Sequence, residues 1–553
     1  MSVEKLIVDH METWTSALQT RSTAGRGSSG KIDLYGIKKL RELILELAVR
    51  GKLVPQDPND EPASDLLKRI AAEKAELVKQ GKIKKQKPLP EISEEEKPFE
   101  LPEGWEWVHL PDIYCSISES SRKIKSSEIL PEGKYPVIEQ SQEFISGYCN
   151  NECLLIKLNN PVIVFGDHTR NIKFIDFDFV VGADGVKILS PILICERFFF
   201  WQLRSFKLDV RGYARHFKVL NSCLFALPPI AEQERIVEKV SSLMSLCDQL
   251  EQQSLTSLDA HQQLVETLLG TLTDSQNTAE LAENWARISE HFDTLFTTEA
   301  SVDALKQTIL QLAVMGKLVP QDPNDEPASE LLKRIAQKKA QLVKEGKIKK
   351  QKPLPPISDE EKPFELPEGW EWCRIGNIVN IKSELVSPKD YLNLYQVAPD
   401  IIEKGTGRVI SKRTVKESGV KGPNSRFYKG QIVYSKIRPS LSKVFLAEYN
   451  GLCSADMYPL DCYINPNYLL KYILSIPFLM QVKKAENRIK MPKLNSDSFY
   501  NIIVAIPPYN EQQAIFDKIN SIEAVCNGLI SYIGIYHKTQ LHLADALTDA
   551  AIN

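Results

Sequence analysis

The residues Asp167, His168, Thr169 and Arg170 follow directly on the apolar stretch PVIVFG. A carboxylate beside an imidazole is half of a catalytic dyad, but no nucleophile accompanies it in sequence context. The better reading is a loop at the end of a strand that delivers Arg170 to an acceptor-rich ligand, since arginine suits phosphate oxygens and guanine edges alike, with His168 beside it as a second contact or as a structural histidine. Lys173 and Lys187 extend the same basic character within NPVIVFGDHTRNIKF and VVGADGVKIL. Arg211, Tyr213, Arg215 and His216 form a second basic and aromatic cluster, equally readable as a solvated loop. In the other half of the chain the candidates are Lys412, Arg413, Lys436, Arg438, Arg488, Lys490 and Lys493.

Catalytic and metal chemistry find little support. GRGSSGK at 25–31 has the glycines of a phosphate loop, yet Ile32 stands where Mg2+ binding needs Ser or Thr, and no strand precedes it, so it reads as a flexible linker. Pro111-Asp112 with Glu132-Gly133-Lys134 only loosely resembles a nuclease metal site, a spacing that arises often by chance. The ten cysteines are scattered, and the closest pair, Cys149 and Cys153, has no neighbouring ligands to complete a zinc site. Reduced, mostly buried thiols are expected. No apolar run approaches the ~20 residues a membrane span needs, and the charged start MSVEKLIVDHMETW is unlike a signal peptide, so the cytoplasm is the expected compartment.

What must position these residues is written twice. Ile44 to Trp107 and Ile309 to Trp372 align without a gap at a shift of 265, with 55 identities in 64 positions. Each copy holds an apolar helical stretch, the loop GKLVPQDPNDEPAS, a charged helix capped by a glycine, the strip IKKQKPLP and the closing KPFELPEGWEW. IKKQKPLP is too rich in proline for a helix or an inner strand. A weaker repeat follows each copy: LPPIAEQERIVEK from Leu227 and IPPYNEQQAIFDK from Ile506. Proline ahead of a first acidic turn marks a helix start. Ile236, Val240, Leu243, Cys247 and Leu250 then keep the 4-3 spacing of a coiled-coil seam, matched by Ile515, Ile519, Ile522, Cys526 and Leu529. Polar Ser254, Ser257 and His261 interrupt the first seam, so a short pairing is expected.

The reading is therefore a mixed α/β (α+β) fold: two globular heads joined by long coiled-coil helices, with an internal two-fold repeat. Its segments are an N-terminal helix and linker at 1–30, the first repeat at 31–107, a first head at 108–226, a central repeat region at 227–372, a second head at 373–505 and a closing helix at 506–553. The two head sequences do not align. The first holds 14 Lys/Arg against 13 Asp/Glu and the second 20 against 10, so a net charge of -3 hides a basic second head on an acidic frame. That surplus favours nucleic-acid contact over a merely solvated face.

The duplicated order of LPEGWEW, a variable domain, LPP with EQ and a long helix strongly resembles the DNA specificity subunits of type I restriction-modification systems. VVGADGVKIL and RGYARHF in the first head, and IVYSKIRPSLSKVF, GLCSADMYPL and RIKMPKLN in the second, look like two different types of target recognition domain of that family. The resemblance implies a non-catalytic chain that binds double-stranded DNA, one half of a split asymmetric site per head, with long antiparallel coiled-coil helices between the heads. It implies two methyltransferase subunits that transfer a methyl group from S-adenosylmethionine to adenine N6, and two restriction subunits that use ATP and Mg2+, with no cofactor on this chain. Methyltransferases of this class carry an Asn/Asp-Pro-Pro-aromatic motif, whereas here Ile506 precedes Pro507, Pro508 and Tyr509 and offers no acceptor oxygen. The shared strip IKKQKPLP is the expected methyltransferase contact, with a solvated linker or a DNA-touching basic strip as the alternatives. The rival readings are a two-headed scaffold without sequence-specific DNA binding and a specificity subunit serving a methyltransferase alone.

Overall fold

The structure, a computed structural model, describes residues 3–21, 31–85, 87–117, 122–182, 185–208, 215–485 and 492–552. They divide into one unit of Met1–Ser257 with Ile535–Asn553 and another of Leu258–Gly534.

The first unit begins with helices α1 (Val3–Asp9) and α2 (Met11–Ser16) and the two-stranded ladder β1 (Gln19–Arg21) with β2 (Lys31–Asp33). Helix α3 (Tyr35–Val49) follows, amphipathic enough to bury Ile37, Leu40, Leu43, Ile44 and Leu47, and then α4 (Ala63–Lys79). Gly51 ends α3 in the left-handed region at φ +65°, and Gly316 does the same at +71° in the second copy. A Cβ at either position would lie 2.4 Å from a proline ring, Pro102 or Pro367. Gly51→Ala or Gly316→Ala is therefore expected to cost roughly 1–3 kcal/mol in denaturant unfolding, from backbone strain and overlap together. The glycine caps expected after the charged helices are present: Gly81 and Gly346 sit at φ +69° and +68°. Behind them Lys82 N donates to Leu77 O at 3.0 Å and Lys347 N to Leu342 O at 2.9 Å.

The first head is entered and left through one ladder, β3 (Glu106–His109) against β12 (Leu224–Leu227). Between them run β4 (Tyr114–Ile117), β5 (Tyr135–Ile138), β6 (Gly147–Cys149), β7 (Leu155–Ile156), β8 (Val162–Gly166), β9 (Ile172–Ile175), β10 (Phe179–Val181), β11 (Val186–Pro191), α5 (Glu196–Ser205) and α6 (Phe217–Asn221). The strands form two four-stranded sheets, β4-β11-β8-β9 and β6-β5-β10-β7, the second containing the parallel pair β5 and β10. Strand β8 is buried along its whole length, as its unbroken apolar run requires. Helix α7 (Ile230–Asp274) then leaves the head.

The second unit repeats the plan. Helices α8 (Thr278–Glu290), α9 (Phe292–Leu295), α10 (Glu299–Val314) and α11 (Ala328–Lys344) precede the ladder of β13 (Glu371–Arg374) with β22 (Ile503–Ile506). The head between them comprises α12 (Ile375–Ile378), β14 (Val379–Ile381), β15 (Leu385–Val386), β16 (Tyr395–Val397), α13 (Val415–Ser418), β17 (Asn424–Phe427), β18 (Ile432–Ser435), β19 (Val444–Leu446), β20 (Gly451–Ser454), β21 (Met457–Cys462), α14 (Pro466–Ile473), α15 (Ile476–Ala485) and α16 (Ser496–Asn501). Helix α17 (Tyr509–Ile552) closes the chain. One apolar core runs from Leu310 and Ala313 of α10 through Trp370, Tyr468 and Val504 to Ile515 and Ile519 of α17, so head and frame fold as one body within this unit.

The two heads, which share no alignable sequence, share a topology. The sheet β14-β21-β18-β19 repeats β4-β11-β8-β9 in order and direction. In the other sheet β16-β20-β17 repeats β5-β10-β7, parallel pair included, and only the fourth strand is added at the opposite edge. Unlike sequences therefore produce one scaffold, and the difference between the heads lies in what the scaffold presents.

Both long helices start at the positions their prolines and acidic turns mark. The seam residues Ile236, Val240, Leu243, Cys247 and Leu250 are buried, as are Ile515, Ile519 and Cys526. The polar interruption does not end α7. It continues as one helix, with no buried side chain from Glu251 to Leu264, and buries Val265, Leu269 and Leu272 further on beside Cys526 and Ile533. All ten cysteines are free thiols, and only Cys153 is exposed. Among the described residues, no helix is long and apolar enough to cross a membrane.

Candidate nucleic-acid interface

Each head is seated by a pair of buried residues that open its long helix. Glu232, in the first turn of α7, accepts from Trp105 Nε1 at 2.9 Å and from Gln56 Nε2 at 3.1 Å. Glu511, in the first turn of α17, accepts from Trp370 Nε1 at 2.9 Å and from Gln321 Nε2 at 3.2 Å. The glutamine that follows faces the head. Gln233 Oε1 accepts from Cys195 N at 3.0 Å, at the start of α5, and Gln512 Oε1 from Asn465 N at 2.9 Å, at the start of α14. The repeated loop completes the grip, through Asp60 with Arg235 at 2.6 Å and Asp325 with Asn510 at 2.7 Å. That is why the chain writes the loop twice: each copy fastens one long helix and, through the Glu-Gln pair, one head. In sequence these glutamates are visible only as acids in a first helical turn; the signal that marks them further is the recurrence of EQ in both long-helix starts together with a tryptophan in both copies of GWEW.

Burial raises both glutamates above the ordinary value of 4.5. A carboxyl raised on folding binds its proton more tightly in the folded chain, so the stability linked to that proton is complete below 4.5 and is lost as pH rises through the folded value. Replacing both by glutamine is expected to flatten that portion of the pH–stability curve. Melting temperatures of the two proteins from pH 4 to 8 check it, and a gap that stays constant over that range contradicts it.

A second repeated feature holds the base of each head. Lys74 Nζ donates to Pro111 O at 2.6 Å, and Lys339 Nζ, one repeat later, to Gly376 O at 2.6 Å and Val379 O at 3.0 Å. Burial lowers both ammonium groups, that of Lys339 to about 8.

The candidate contact residues divide by environment. In the first head the turn after β8 is tied to its surroundings. His168 N donates to Gln140 Oε1 at 3.1 Å, and Asn171 Nδ2 to Gln140 O at 2.8 Å. Arg170 lines a cleft of about 500 Å³ with Phe144, Thr169, Asn171 and Leu208, and Phe144 is half exposed there. Lys187 points its ammonium over the ring of Phe217 at 5.4 Å, and Arg215 is exposed. Two candidates turn inward instead. Lys173 is 6 % exposed and donates to Glu139 O at 2.7 Å and Phe144 O at 3.3 Å as well as to Glu143 O, and burial lowers its pKa. The register of β9 places it on the covered face, so its charge holds the 139–144 turn. His216 is 1 % exposed, with Nδ1 at 3.1 Å from Asp167 O. Arg211 and Tyr213 lie outside the described residues.

In the second head Lys412 is exposed and lies over Tyr449 at 5.3 Å, while Arg413 pairs with Asp400 at 3.1 Å. Lys436 and Lys493 converge on one carboxylate, Asp456, at 3.8 and 3.0 Å. Burial first, then the charge of Lys493, lowers the pKa of Lys436. Arg438 is exposed on the same turn. Arg488 and Lys490 lie outside the described residues. Acidic neighbours thus answer part of the surplus charge, and Lys412 and Arg438 stand clear of them. Among the described residues no cluster of three or more His, Cys, Asp or Glu is arranged to hold a metal ion.

Comparison with known proteins follows this division of the chain. The family described as "Type I restriction modification DNA specificity domain" matches residues 102–260 and 367–533, which are the two heads with the starts of their long helices. The EcoAI specificity subunit of a type I restriction enzyme from Escherichia coli is 51% identical, and the EcoEI specificity subunit from the same organism 48% identical, each over 100% of this chain and 100% of the relative. The crystal structure of the HsdS subunit from Thermoanaerobacter tengcongensis covers 83% of this chain and 98% of its own at 15% identity, with a TM-score of 0.36. The family match spans more than half the chain and the relatives match it end to end: the protein belongs to the family of type I restriction enzyme specificity subunits.

Proposed function

We propose that this chain gives a type I restriction-modification complex its address: each head reads one half of a split, asymmetric site in double-stranded DNA. Two methyltransferase subunits act on adenine N6 in the two halves with S-adenosylmethionine, and two restriction subunits act on unmodified DNA with ATP and Mg2+. The chain supplies no catalytic group and binds no cofactor itself, and it works in the cytoplasm. The observation that carries this reading is that one scaffold topology appears twice, each time clamped to a long helix by the same Glu-Gln pair, while the surfaces presented differ in sequence and charge. A scaffold for two protein partners has no need of the basic second head. The long helices set the length of the unread spacer between half-sites, at ~1.5 Å per residue. The described residues of the two IKKQKPLP strips are mostly exposed, which supports a shared job as methyltransferase contacts.

The reading is tested with the chain assembled with its methyltransferase subunits. Binding is expected to discriminate among duplexes in both halves of one split site and to weaken steeply with salt. In the same assay Lys412→Ala is expected to weaken all sequences alike and to reduce the slope of log K against log salt by about 0.9, the share of one phosphate contact. Binding that ignores sequence at every salt concentration contradicts the reading.

A further inference from the structure

We propose that Arg170 and Arg438 are counterpart DNA anchors, one per head, each presenting its guanidinium to a paired acceptor of its own half-site, either a guanine edge or phosphate oxygens. The proposal rests on the reading that the heads bind DNA, and it assigns the same task to two residues that no sequence alignment pairs.

Their equivalence comes from the topology. Arg170 lies in the connection from β8 to β9, and Arg438 in that from β18 to β19, the same hairpin of the same sheet in the two heads. The described non-glycine residues with left-handed backbone are Arg170 at φ +62°, Arg438 at +45°, Leu193 and Ser442, so each head places an arginine in that conformation at this turn. Glycine is the residue that such a backbone favours, because the Cβ of an L-residue crowds the neighbouring carbonyl oxygen. A residue kept there against that preference points to a use for its side chain.

Each turn is also fixed from outside. Arg170 N closes the first turn on Gly166 O at 2.8 Å, and from outside the turn Leu208 O accepts from the Arg170 guanidinium at 2.8 Å. Asp167 O accepts from His216 N at 2.8 Å. In the second head Arg438 N donates to Pro492 O and Leu494 N to Lys436 O, both at 2.8 Å. The tie in both heads is to the stretch that leads into the last short helix, α6 or α16. A clamped backbone aims the side chain before any ligand arrives and reduces the ordering cost of binding. Charge points the same way. Among the described residues neither guanidinium meets a carboxylate within ion-pair distance, whereas Arg408, Arg413 and Lys493 do, with Glu403, Asp400 and Asp456. An uncompensated, pre-aimed fork is suited to bidentate recognition of a guanine edge or a phosphate.

The test uses the full chain assembled with its methyltransferase subunits and three duplexes: the split site, the site with its first half scrambled, and the site with its second half scrambled. Arg170→Gly and Arg438→Gly remove the side chain and relax the backbone, so melting temperature is expected to hold or rise while affinity for the intact site falls roughly tenfold or more. Scrambling one half is expected to matter less in the variant whose own head reads that half. Arg→Lys at each position distinguishes the ligand. A guanine reader stays impaired and relaxes one base position, whereas a phosphate contact recovers most of the affinity and keeps the salt slope. A wild-type complex that discriminates while both glycine variants bind as tightly overturns the proposal alone. Unchanged affinity with a lowered melting temperature overturns it as well, since the arginines then serve the fold. A wild-type complex that binds all three duplexes alike overturns the reading beneath it too.

Discussion

Glu511→Ala is expected to lower the unfolding free energy of the second unit by about 2 kcal/mol. The carboxylate is 4 % exposed and takes two hydrogen bonds, from Trp370 Nε1 at 2.9 Å and Gln321 Nε2 at 3.2 Å. Removing it leaves the indole N–H of buried Trp370 without an acceptor, at roughly 1–3 kcal/mol, whereas the Gln321 amide keeps Gly316 O at 2.8 Å and Val319 O at 3.2 Å. It also removes a negative charge from the first turn of a 44-residue helix. Function is expected to fall with it, because the same turn carries Gln512, which holds the start of α14. Glu511→Gln keeps an acceptor for the indole but turns a second donor toward Gln321, and a smaller loss is expected. Denaturant unfolding measures both, and a shift below about 0.5 kcal/mol for the alanine variant contradicts the clamp. Glu232→Ala is expected to behave alike in the first unit, since its partners Trp105 and Gln56 are the same residue types at similar distances.

Lys173→Met carries the second large effect and separates two roles for one lysine. As a DNA contact, Lys173 would leave the melting temperature unchanged when replaced and would reduce the salt slope of binding by about 0.9. The structure assigns it the carbonyls of Glu139, Glu143 and Phe144 instead. Losing the ammonium removes the buried donor that joins these three carbonyls, at a cost of roughly 2–4 kcal/mol, with the salt slope unchanged. Thermal melts and a salt titration on the same protein decide between the two.

The frame was legible because its evidence is repetition. Fifty-five identities at a constant shift, glycines after both charged helices and prolines before both long ones each name a local structure, and each appears. The common topology of the heads was not legible. Strands such as VIVFG and IVYS agree only in being apolar, and the order in which strands pair leaves no local mark. Two different types of recognition domain were expected from their motifs, and one scaffold with two surfaces is what those motifs decorate. The candidate contacts were chosen by residue type, which cannot tell a basic side chain on a free turn from one on the covered face of a strand. Arg438 and Lys412 fall in the first class; Lys173 falls in the second, and His216 is covered as well. The glutamates of the clamp were visible as first-turn acids, but their tryptophan partners stand 127 and 141 residues away, a distance only the fold closes.

If this chain selects the DNA sequence on which its partners act, a map of N6-methyladenine across the genome of source cells with and without this gene will show it. Deletion is expected to remove methylation from both halves of one split, asymmetric motif and to leave other methylated motifs untouched. Identical maps from the two strains, with the partner methyltransferase genes intact and expressed, would contradict it.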